Sequence, residues 1–121
     1  MWFIALILAG LGYLLIWLIR NLLPVQGLAY VDASILNDIS ELPQQTKMLD
    51  VRDEVFYREC HVQGAINISI GRLPFVWRNE LSPSEPVLIL SDSIIKSKRA
   101  ARLLKSRGFR QIYAVRGQYC A

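Results

Sequence analysis

The sequence predicts an α/β domain, a parallel central sheet with helices on both faces, preceded by one N-terminal transmembrane helix. Three observations carry this. The N-terminus holds an unbroken apolar run, "WFIALILAGLGYLLIWLI", from Trp2 to Ile19. Beyond it, short apolar runs ("KMLD", "VLIL", "QIYAV") alternate with helically spaced segments ("LPFVWRNEL", "KSKRAARLLKS"), the pattern of strands joined by crossover helices. And "VLIL" has no polar face, which suits a strand covered on both sides.

The N-terminal run has 18 residues without a charge. At about 1.5 Å per residue it spans about 27 Å, close to the roughly 30 Å of a bilayer's hydrocarbon. Arg20 is placed to snorkel, so that Leu22 and Leu23 extend the buried run until Pro24 stops the helix. Trp2, Tyr13 and Trp17 include belt-type aromatics near both ends. A cleaved signal would show a basic start, a shorter apolar stretch and small residues at a cleavage site, and none is evident. The division is therefore 1–23 as membrane anchor, 24–29 as tether and 30–121 as the domain, with the lipid bilayer contacted through residues 2–23. Arg20, the one basic residue flanking the anchor, favours a single-pass protein with its C-terminal domain in the cytoplasm.

Within the domain, Tyr30 and Val31 begin a strand, and Asp32 is placed to cap a helix over "ASILNDISEL" that ends before Pro43. "KMLDVR" is a strand closing in charge at Asp50 and Arg52. "DEVFYREC" reads as a loop or short helix, and Gly64 gives a turn before a strand around Ala65 to Ile68. "GRLPFVWRNEL" carries Pro74 at a plausible first helical turn. "KSKRAARLLKSRGF" is a helix with Gly108 as its C-terminal cap, and "QIYAV" is the last strand. In open parallel sheets the ligand site lies beyond the carboxyl ends of the strands. This topology gathers Asp50, Arg52, Ser91 to Lys96 and Arg116 to Gln118 near one rim.

The formal net charge is +4, and after Asp92 there are eight Lys or Arg and no acidic residue. Lys98, Arg102 and Lys105 share one face of the last helix, with Ala100, Leu103 and Leu104 on the side suited to the sheet. A solvated face accounts for those charges. Beside a bilayer they also suit anionic lipid headgroups. Nucleic acid is not expected, because no aromatic residues interleave with the charges. No cluster of metal ligands stands in the sequence, and no cofactor is expected. Cys60 and Cys120 fit either free thiols in a reducing cytosol or one disulfide outside it.

The order of these features resembles the rhodanese-like domain family. "LDVRDEVFYRECHVQGAINIS" is similar to that family's first signature, with Asp50, Arg52, His61, Gly64, Ala65 and Asn67 in place. "VLILSDSIIKSKRAARLLKSRGF" is similar to its second, and "IYAVRG" to the strand and glycine turn that come after it. The resemblance implies a loop after "VLIL" whose backbone N–H groups cradle a catalytic Cys carrying a persulfide. Ser91 stands at that Cys position, followed by Asp92, Ser93, Ile94, Ile95 and Lys96. Lys96 falls where the family often has Arg, and Ile94 where Gly is common.

A hydroxyl cannot form a persulfide, so Ser91 removes the usual route of sulfur transfer. Asp92 opposes an anionic guest, with Lys96 and Arg52 partly offsetting it. No catalytic residue is expected in this degenerate loop. A Ser91–His61–Asp50 triad lacks the flanking glycines of a nucleophile elbow, and His61 reads as a structural residue. The expectation is a membrane-anchored binding or regulatory module without sulfurtransferase activity, its partner either headgroups or an unidentified protein. The enzymatic alternative is a divergent sulfurtransferase that uses Cys60 or Cys120.

Overall fold

The computed structural model describes residues 1–23, 25, 27–117 and 120. Pro24 and Gln118, to which the sequence assigned a helix stop and a place on the rim, lie outside them. Helix α1 runs over Trp2–Leu22, strand β1 over Leu28–Asp32 and β2 over Lys47–Asp50. Then come α2 (Glu54–Glu59), β3 (Ile66–Asn67), α3 (Leu73–Glu80), β4 (Val87–Leu90), α4 (Ile94–Ser106) and β5 (Ile112–Arg116).

All strand pairs are parallel, in the order β1-β5-β4-β2-β3. The central strand β4 is buried at every position, as its uniformly apolar sequence requires. On one face, Leu73 and Trp77 of α3 and Ala100, Ala101 and Leu104 of α4 pack with Leu49, Ile89 and Ala114. Trp77 meets Phe109 edge-on, with ring centroids 5.6 Å apart. On the other face, Leu88, Leu90 and Val115 are covered by Leu42, Ala65, Ile35, Leu36 and Tyr57. Sheet cover on both faces is thus as expected.

Strand β1 begins at Leu28, two residues ahead of the expected start, so the proposed tether overlaps the sheet. Asp32 caps as expected, its carboxylate accepting from Ser34 N–H. The segment it caps is not an α-helix but two 3₁₀ turns, Ala33–Asn37 and Ile39–Glu41. Asp38 breaks the run at φ −146°, and its side chain accepts from both the Ser40 amide and the Ser40 hydroxyl. Such a side chain offers the backbone an alternative to helical bonds. Gly108, at φ +96°, closes α4 with the left-handed residue that a Schellman-type ending requires.

Helix α1 is long and apolar enough to cross a membrane, and none of its residues is buried. Its last carbonyls are not left open. Lys98 Nζ donates to the carbonyls of Asn21 and Leu22 at 3.3 and 3.2 Å. Arg102 Nη2 donates to those of Arg20 and Leu23. A helix C-terminus leaves four such acceptors and the negative end of the macrodipole, and two cations of α4 meet both needs.

Candidate functional site

The loop between β4 and α4 is built by Ser91. Its Oγ accepts from Ser93 N–H at 3.1 Å and donates to Ser93 O at 3.0 Å, closing a turn within the loop. Ser97 N–H then makes the first helical bond, to Ser93 O. The N–H groups of Ile94, Ile95 and Lys96 therefore have no carbonyl within the helix, as at any helix start. Lys96 Nζ lies 3.3 Å from Asp92 Oδ1, so the cation on the first turn is paired with the loop's own anion.

This loop lines a cleft of about 410 Å³, with Tyr30 and Leu22 on one side and Val115, Arg116 and Gly117 on another. The register of β1 on β5 sets Tyr30 opposite Ala114 and Asp32 opposite Arg116. That brings the Arg116 guanidinium 5.0 Å from the Tyr30 ring centroid, within cation–π range. The Tyr30 hydroxyl is buried and has no hydrogen-bond partner among the described residues. Ser97, buried on α4, also lines the cleft, as does Lys98. Sequence reasoning passed over Tyr30 and Ser97; the parallel register, which carries the end of β1 to the same rim as β5, was the signal for the first.

Asp50 and Arg52 were expected on this rim, with Arg52 lending charge to the loop. The structure buries them instead, at 0% and 7% exposure, and they do not line the cleft. Arg52 Nη2 reaches Asp50 Oδ2 at 2.8 Å, and Nε lies 3.1 and 3.2 Å from the two carboxylate oxygens. The Arg52 amide donates to Asp50 Oδ1, and Nη2 also donates to the Cys60 carbonyl at 2.6 Å. Asn67 Nδ2 donates to the carbonyls of both Asp50 and Arg52. These signature residues form a buried network that joins β2, β3 and the end of α2. Charge with so many partners is committed to the fold.

His61 is exposed. Its Nδ1 donates to the Tyr57 carbonyl at 2.8 Å, and its ring stacks on Tyr57 with centroids 4.0 Å apart. Asp50 is held by Arg52 and His61 by Tyr57, so no Ser91–His61–Asp50 relay assembles.

The two cysteines are not separate thiols. Cys60, at the end of α2, is joined to Cys120 in a disulfide with Cα atoms 6.0 Å apart. Gly117, at φ +98°, turns the chain out of β5 ahead of this link. The sulfurs offered as alternatives to Ser91 are thus bonded to each other, and Cys120 is tied to the end of α2.

The rhodanese-like domain model matches residues 32–120. The chain is 30% identical over 70 residues to the thiosulfate sulfurtransferase GlpE of Coxiella burnetii, covering 58% of this chain and 64% of that protein. It is 31% identical over 72 residues to YrkF of Bacillus subtilis, provisionally named a sulfur carrier protein, covering 60% of this chain and 38% of YrkF. The chain therefore spans less than two thirds of either relative. Among solved structures, the Alr3790 protein from Anabaena sp. superposes with a TM-score of 0.64 at 27% identity, over 72% of this chain and 70% of that one. With the parallel sheet, the signature network around Asp50 and Arg52 and the loop after β4, these matches establish that the chain belongs to the rhodanese-like domain family.

Proposed function

We propose that the chain is a membrane-anchored rhodanese-like module that does not transfer sulfur and acts by binding at the cleft beside Ser91. The Ser91–Ser93 turn carries this reading. The hydroxyl at the loop position that the family resemblance assigns to a sulfur nucleophile spends its donor and its acceptor on the loop backbone. No thiol takes its place, since Cys60 and Cys120 are bonded to each other. Binding is supported by what the cleft offers. Ile94, which lines the cleft, is 64% exposed on the first turn of α4, with Lys98 and Arg116 also in the lining. Apolar contact beside a few placed polar groups is the ordinary material of a recognition surface.

The anchor reading rests on α1, whose length, hydropathy and lack of buried residues suit lipid rather than a protein core. Orientation turns on the disulfide. Arg20 alone favoured a cytoplasmic domain, whereas a disulfide persists in an oxidising compartment. We place the domain on the oxidising side of the membrane.

The test is thiosulfate and cyanide added to the full chain in detergent micelles. No thiocyanate above the protein-free background is expected. Turnover that vanishes in Cys60→Ser or Cys120→Ser would establish the divergent sulfurtransferase instead. Orientation is read separately, by protease protection of the domain in intact cells.

A further inference from the structure

Away from the Ser91 cleft, a second cavity of about 350 Å³ opens between α1 and α4, and its lining changes character along α1. Tyr13, Ile16 and Trp17 form one end, and Arg20, Arg99 and Arg102 the other. Tyr13, Ile16, Trp17 and Arg20 recur at helical spacing, so one face of α1 passes from apolar to cationic over seven residues, about 10 Å. Arg99 and Arg102, three apart on α4, complete the cationic end.

Two features make this more than a basic surface. The cavity has no acidic lining residue, and none of the three guanidiniums forms an ion pair with a carboxylate among the described residues. The position is also fixed, because Arg102 donates to the Arg20 and Leu23 carbonyls and Lys98 to those of Asn21 and Leu22. These bonds hold α4 against the end of the helix that suits a bilayer.

We infer that this cavity is a site for one anionic phospholipid, with the headgroup phosphate on Arg20, Arg99 and Arg102 and the glycerol and upper acyl carbons against Ile16, Tyr13 and Trp17. Guanidinium forks match phosphate oxygens in geometry as well as charge. Trp17, one turn from Arg20, matches the amphipathic part of a lipid at the interface, and Tyr13 and Ile16 lie deeper, at the level of the acyl carbons. The site rests on the reading of α1 as a bilayer anchor. It narrows a general attraction of α4 for headgroups to a stoichiometric one, centred on Arg99 and Arg102 rather than on Lys105.

The experiment uses the full chain, first scored for carbonate-resistant insertion into phosphatidylcholine vesicles. The inserted chain is then taken into non-ionic detergent with equimolar phosphatidylglycerol and phosphatidylcholine, and retained lipid is counted by native mass spectrometry. One phosphatidylglycerol per chain is expected, retained in preference to phosphatidylcholine. Arg99→Gln should lower that retention by about fivefold, the factor that one cation near a lipid surface supplies, while Arg99→Lys should restore most of it. Tyr13→Ala should weaken lipid retention, and inorganic phosphate at equal concentration should not displace the lipid. Equal retention of both lipids by an inserted chain, or displacement by inorganic phosphate, would overturn the lipid site and leave the anchor standing. A chain that fails to insert would overturn both.

Discussion

Arg52 grips Asp50 through both carboxylate oxygens, with Nη2 to Oδ2 at 2.8 Å and the two side chains 8% and 0% exposed. The pair also carries the Arg52 amide, the Cys60 carbonyl just past α2 and the side-chain amide of Asn67, so its role is to fasten the end of β2 to its surroundings.

Removing one member should therefore cost far more than the pair contributes. Arg52→Ala leaves a buried carboxylate without its counter-ion, a loss of about 3–5 kcal/mol. Arg52→Met with Asp50→Leu should recover a substantial part of it, because neither charge is then stranded. Thermal unfolding of the wild type, Arg52→Met, Asp50→Leu and the double variant closes the cycle. Additive losses would show that the two side chains act independently.

Ser91→Cys tests whether the loop lacks only its sulfur. The new thiol should react with an alkylating reagent, yet give little thiocyanate from thiosulfate and cyanide, because Asp92 remains at the mouth and pairs with Lys96 at 3.3 Å. Adding Asp92→Asn frees that ammonium and should raise any turnover. Full activity in the single variant would mean that Asp92 does not impair the cradle.

The Cys60–Cys120 bridge closes a loop with a sequence separation of 60. Reduction, or Cys60→Ser with Cys120→Ser, should lower stability by about 2–4 kcal/mol, read from denaturant midpoints with and without reductant. Coincident midpoints would show that the bridge adds nothing to the folded state. Chain isolated under thiol-blocking conditions should migrate faster on a non-reducing gel than after reduction.

Gly108 sits at φ +96°, with the nearest atom to an added side chain, Pro83 Cβ, at 3.8 Å. Space is available, so Gly108→Ala should cost only the backbone penalty of the left-handed conformation, about 1–2 kcal/mol. Gly108→Asn should cost less. A loss of similar size in both variants would point to packing instead.

What the sequence reveals here depends on whether one residue type has one physical use. Four consecutive apolar residues in β4 have few homes besides a doubly covered strand, and Gly108 after a basic helix has few besides a left-handed cap. Asp32 reads as a cap for the same reason. The segment from Ala33 to Glu41 misleads because Asp38 serves a helix surface and a local turn equally well, and its bonds to Ser40 decide for the turn. Asp50 and Arg52 mislead in another way: topology brings them to the rim in the chain, but their mutual attraction draws both side chains inward. The link between Cys60 and Cys120 joins residues half the chain apart, and only folding brings them together. Tyr30 escapes notice because its place in the cleft comes from the register of β1 on β5, which only the folded sheet fixes.

The disulfide also changes what a protease would leave behind. Its closed loop encloses β3, α3, β4, α4 and β5, so a single cut in the exposed turn at Pro83 and Ser84 severs the backbone without releasing either piece. Each half would stay covalently attached across the sheet, and the nicked chain would separate into two fragments only on reduction.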